Sequence, residues 1–126
     1  VVYNKENNMG YRSQVTSIIY GEAEKIDLFM VKHKILDSEA FTEFKEHISI
    51  VDRDAQKGIV LEGDWWKWYP EYSDVKSWHD LLADAEEFGL QYELVRVGEE
   101  SGDVETFHSE NCDWVLSVNT SIDNTF

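Results

Sequence analysis

The 126 residues carry 26 acidic against 11 basic side chains, a formal net charge of −15 that repels duplex DNA, RNA and anionic lipid. A hydrophobic fraction of 42% with five Trp, six Tyr and six Phe excludes a disordered acidic tail, and the length suits one domain with its own core. Cys112 stands alone, which excludes an intrachain disulfide and fits a reducing compartment, and no apolar run approaches the length of a membrane span.

Residues 1–8 precede Met9. Lys5-Glu6, if encoded AAG-GAG, matches a bacterial ribosome-binding sequence, and Asn7-Asn8 space it from a start at Met9. Two readings stand: a translated leader or an N-terminal arm, ahead of a single domain over 9–126. Gln14 to Tyr20, rich in β-branched residues, predicts a strand ended by Gly21. Residues 22–36 switch to helical spacing, with Ile26, Phe29 and Met30 on one face and Glu22, Glu24 and Asp27 near the positive N-terminal end. After a break at Asp37-Ser38-Glu39, Phe41 and Phe44 anchor a short helical turn. Ile48 to Val51 and Gly58 to Tyr69 predict two strands joined by a polar turn through 54–57, with Pro70 ending the second.

The second helix, residues 74–88, is the clearest element. Ser73 is the expected N-cap and Gly89 the residue that ends it, while Val75, Trp78, Leu82 and Ala85, widened by Leu81 and Phe88, repeat at three and four. Gln91 to Val97 and Val104 to His108 alternate around a turn at 98–103, a hairpin signal, and Trp114 to Val118 predicts a final strand. The order β-α-β-β-α-β with an added hairpin and C-terminal strand implies an α+β two-layer sandwich, ferredoxin-like, with a partly exposed antiparallel sheet and both helices on one face. That fold hosts unrelated activities and selects none.

Charge is unevenly placed. Residues 71–126 hold fourteen acids against only Lys76 and Arg96, whereas residues 1–70 hold twelve acids against nine bases. Asp80, Asp84 and Glu87 fall at i, i+4 and i+7 opposite the apolar stripe, with Glu86 beside them, and Glu99, Glu100, Asp103 and Glu105 add a second cluster on the hairpin. Such an array imitates the charge of nucleic-acid phosphates; the competing reading is a solvated face that only keeps the chain soluble. Lys76 and Arg96 are read as internal ion-pair partners. In the run Trp65-Trp66-Lys67-Trp68-Tyr69, strand parity sets Trp65 and Tyr69 against Trp66 and Trp68. One set packs under the helices. The other, assigned to Trp66 and Trp68 with Tyr72, is left as a contact surface of the kind Trp and Tyr anchor.

Asp52-Arg53-Asp54 with Gly58 and Glu62 fails as a calcium loop, since the glycine is one position late and the glutamate one early. His33, His47, His79 and His108 show no metal spacing, and neither a nucleophile with its base nor a phosphate-binding loop stands out. No cofactor, metal or catalytic residue is therefore assigned.

The opening Met9-Gly10-Tyr11-Arg12-Ser13, with Val95-Arg96-Val97-Gly98-Glu99-Glu100 further on, resembles small tailed-phage proteins over about a fifth of the chain. The resemblance implies a phage origin and carries no activity or site residue. The expected function is a non-catalytic accessory protein of the bacterial cytoplasm. Its acidic half would bind a basic host protein, one that handles nucleic acid or acts in defence, without touching nucleic acid or membrane itself; self-association through the sheet face is a further option. The alternative is a small enzyme or sequestering protein in which the Trp/Tyr cluster clamps a nucleotide-like metabolite, with Glu62 and Glu93 as the nearby carboxylates.

Overall fold

The apolar alternation of Ser13–Glu22 makes it the central strand, β1, of an antiparallel sheet in the computed structural model, which describes residues 10–36, 39–118 and 121–126, without the side chains at 39, 40, 42 and 43. The leader or start expected at 1–9 lies outside the described residues. Helix α1, Ala23–His33, follows, then a short 3-10 segment, Glu39–His47, whose Phe41 and Phe44 reach the core as expected. β2, Ile48–Arg53, and β3, Gln56–Trp66, form a hairpin; α2, Ser73–Glu87, leads into a second hairpin of β4, Gln91–Gly98, and β5, Val104–His108. The strand order β2-β3-β1-β4-β5 is that of a β-α-β-β-α-β unit with one strand added at the β4 edge. No described helix is long and apolar enough to cross a membrane.

Both helices cover one sheet face. Val15, Ser17 and Ile19 of β1, Ile59 and Leu61 of β3 and Leu94 of β4 point to it, and Ile26, Phe29, Val75, Trp78 and Leu82 close over them. At the end of α2 the Leu90 N–H bonds to the Ala85 carbonyl (2.9 Å) and the Gly89 N–H to that of Glu86 (3.1 Å). Gly89 takes φ +88 for this, so a glycine terminates the helix through a Schellman motif. The N-terminal cap differs from expectation. Ser73 is the first helical residue, preceded by Tyr72 without a side-chain cap.

The second face of the sheet is covered in part by the C-terminal segment, and here one expectation is corrected. Trp114 to Val118 does not extend the main sheet. The chain turns at Trp114 (φ +53), and among the described residues Leu116–Val118 (β6) pairs only with Ile122–Asn124 (β7). This hairpin and Phe126 lie over Ile18, Tyr20, Val60 and Val95, forming a second small core. Its anchor is Glu93, 2% exposed, whose carboxylate accepts the Tyr20 hydroxyl at 2.5 Å and the N–H groups of Val115 and Leu116 at 3.1 Å each. Burial, then the Glu93 bond, drives the Tyr20 phenol well above the ordinary tyrosine range.

Candidate protein-binding face

The register of β3 resolves the tryptophan run. Val15 pairs with Gly63 and Ser13 with Trp66, so two residues of β1 span three of β3, a bulge that places Trp65 at φ +60. The extra residue inverts parity: Trp66 turns to the helix face and Trp65 to solvent. Gly63 is required here, because a Cβ would lie 2.5–2.6 Å from the Trp66 indole. Trp66 and Trp68 stack at 5.4 Å between centroids, and Phe44 joins both at 5.4–5.5 Å. Trp68 is 6% exposed and Trp65 62% exposed.

Trp68 is therefore core rather than a surface anchor, and Trp66 packs half-buried against the core; Tyr72 alone of the expected aromatic trio is exposed, against Tyr69. Replacing Trp66 and Trp68 together by Thr is expected to abolish cooperative unfolding, since one buried Trp is worth about 3–5 kcal/mol. Trp65→Asn, at an exposed site whose left-handed backbone Asn tolerates, should stay within about 0.5 kcal/mol of wild type in a urea melt.

The carboxylates divide the same way. Asp103 is held by Arg96, with Nη2–Oδ1 at 2.6 Å, and accepts the Tyr11 hydroxyl at 2.5 Å. Glu105 takes Arg96 Nε at 2.5 Å, and Arg96 Nη1 reaches Ser13 Oγ at 3.0 Å, so the expected ion-pair role of Arg96 is met. Burial opposes the guanidinium charge, but the bonds to Asp103 and Glu105 outweigh it and raise the Arg96 pKa. Glu99 accepts the Arg12 N–H at 2.9 Å and Glu86 that of Glu110 at 2.6 Å. Asp103 above all is corrected from a partner contact to part of the fold's own ion-pair network. Asp80, Asp84, Glu87 and Glu100 are exposed and pair with no cation among the described residues.

Beside these acids lies a feature that sequence spacing did not find, a cleft of about 390 Å³ between α2 and the β4–β5 hairpin. Trp68 and Phe107 supply apolar walls, and Asp80 and Glu105 supply carboxylates. Lys76 and Arg96, the only bases after residue 70, both reach it, Lys76 without an ion-pair partner among the described residues. His79 of α2 meets the Phe107 ring edge-on at 4.9 Å. Burial lowers the His79 pKa from 6.5, against the opposing pull of Glu105 and Asp80. The unfolded chain then binds a proton that the folded chain resists, so stability falls as pH drops below about 6.5. His79→Gln should flatten that loss between about pH 7 and pH 5 in paired urea melts.

The carboxylates expected beside a metabolite clamp are not with the aromatic cluster: Glu62 and Glu93 sit on the sheet face opposite Trp66 and Trp68, and Glu93 is buried under the C-terminal hairpin. Among the described residues no group of three His, Cys, Asp or Glu side chains is placed to hold a metal ion. No family model, curated protein or solved structure matches the chain.

Proposed function

We propose that this chain is a non-catalytic binding protein that occupies a basic surface of another protein, with the outer face of α2 as its charged contact. The observation that carries this reading is the set Asp80, Asp84 and Glu87, exposed on one helix face and unpaired by any described cation. Like charges at that spacing cost about 0.2–0.5 kcal/mol per pair. Glu87 also stands in the last turn, where the helix dipole favours a cation. Stability alone does not select such an arrangement, and binding a cationic surface does.

The array matches phosphate in sign. The target class supported best is a protein whose basic surface otherwise receives nucleic acid; with the phage-type opening residues, that makes it a nucleic-acid-binding or defence protein of a bacterial host. The metabolite reading is the weaker one, because Trp66, Trp68 and Phe44 pack on one another and the carboxylates expected beside them lie on the other sheet face.

A pull-down from bacterial lysate at low salt tests the proposal. Wild type should recover a basic protein that is released as ionic strength rises, since the screening length shrinks from about 30 Å at 0.01 M to about 10 Å at 0.1 M. The variant Asp80→Lys/Asp84→Lys/Glu87→Lys should recover none. Capture that survives charge reversal, or that ignores salt, contradicts it.

A further inference from the structure

We propose that the open edge of β5 receives an extended basic segment of the partner as an added antiparallel strand, with alternate side chains of that segment seated in the cleft beside α2. This rests on the acidic-face reading and adds the conformation and register of what binds. β5 ends the strand order, so among the described residues one side of it has no neighbour in the sheet. The ladder fixes which groups that side presents. The Gly98 N–H bonds to the Asp103 carbonyl and the Ser109 N–H to that of Tyr92, and the same register pairs Arg96 with Glu105 and Leu94 with Phe107. Bonded pairs alternate along an antiparallel ladder, so Thr106 and His108 turn their N–H and C=O groups to the open edge, whereas the Val104 N–H is taken by the Gly102 carbonyl at 3.0 Å. Glu105 and Phe107, of opposite parity, line the cleft.

A strand laid against Thr106 thus makes main-chain bonds through one set of residues and sends the other set toward the Phe107 and Trp68 walls and the carboxylates of Glu105 and Asp80. Of the devices that keep an edge from pairing, Val104–His108 has no Pro, Lys or bulge; its one inward charge, Glu105, is engaged by Arg96. Charge chooses the occupant. A second copy would bring a further net charge of −15 to an edge beside Asp80 and Glu105, whereas a basic segment is attracted. Lys76, one turn before Asp80, directs the segment's cations toward the Asp80 end and leaves the other end for an apolar side chain. The opposite edge, β2, belongs to the half of the chain where twelve acids meet nine bases and offers no such bias.

The probe is a capped seven-residue peptide in which threonines alternate with one leucine and two lysines, titrated into the full chain and followed by amide chemical shifts. Shifts should concentrate on 104–108 and 73–87. Methylating the inner threonine nitrogens, which removes pairing amides and leaves the cleft side chains unchanged, should weaken binding about tenfold or more. Thr106→Pro should do the same while preserving the fold, because that N–H serves no ladder bond. If Thr106→Pro fails to fold, the methylated probe still decides. Equal binding of methylated and unmethylated probe overturns the added strand. The charge-reversed variant then separates the two claims: if it no longer binds, the acidic-face reading survives alone, and if it binds, both fall. A dimer of the protein by itself that the Thr106→Pro change dissolves assigns the edge to a second copy and overturns the proposal.

Discussion

Trp78→Ala is expected to lower stability by about 3–5 kcal/mol, most of what a domain of this size holds. Trp78 is fully buried, and its ring stands edge-on to Phe41 at 5.8 Å and to Phe44 at 6.4 Å. Its indole N–H donates to Ser17 Oγ at 2.9 Å, and that hydroxyl donates to the Glu93 carbonyl at 3.0 Å, so one side chain links α2 to β1 and, through it, to β4. Deletion removes both the volume and the donor. Ser17→Ala separates them: it strands the buried N–H and should cost about 1–3 kcal/mol. Urea melts of the two variants and of the double variant measure the coupling, which should be clearly non-additive because the partners touch. A Trp78→Ala loss below about 1 kcal/mol would place Trp78 outside the core.

Glu93→Ala is expected to release the C-terminal segment from the second sheet face. The variant strands the Tyr20 hydroxyl and the Leu116 N–H, both buried, and loosens the Val115 N–H; each stranded donor costs about 1–3 kcal/mol. Tyr20 also accepts the Asp113 N–H at 2.8 Å, so 113–116 lose their seat together. Proteolysis should then nick the chain after residue 108, and an apolar dye should find Ile18, Val60 and Val95. Glu93→Gln keeps a carbonyl oxygen but puts a donor where donors already point, so it should rescue only part of the loss. Wild-type protease resistance in Glu93→Ala would show that another contact holds the segment.

Local pattern was enough for α2. Its stripe at three and four, and the glycine after it, read directly as an amphipathic helix with a defined end, and the outward carboxylates followed from the same wheel. The tryptophan run was not legible, because which of its indoles faces inward depends on one extra residue in β3 opposite β1, a non-local register. Glu93 was misread for a related reason. Its strand position set it beside the aromatic cluster, and only the later N–H groups of Val115 and Leu116 account for its burial on the opposite face. The cleft was invisible to spacing: its walls come from Trp68, from Lys76 and His79, and from Phe107, which are brought together only when α2 lies beside the added β4–β5 hairpin.

The acidic face and the β5 edge make a single spatial claim, and amide hydrogen exchange on the complex with the captured basic protein tests it most directly. Added protection should fall on residues 73–87 and 104–108, with 23–33 and 48–53 exchanging as in the free chain. Protection centred on α1 or β2, with α2 and β5 unchanged, would contradict it.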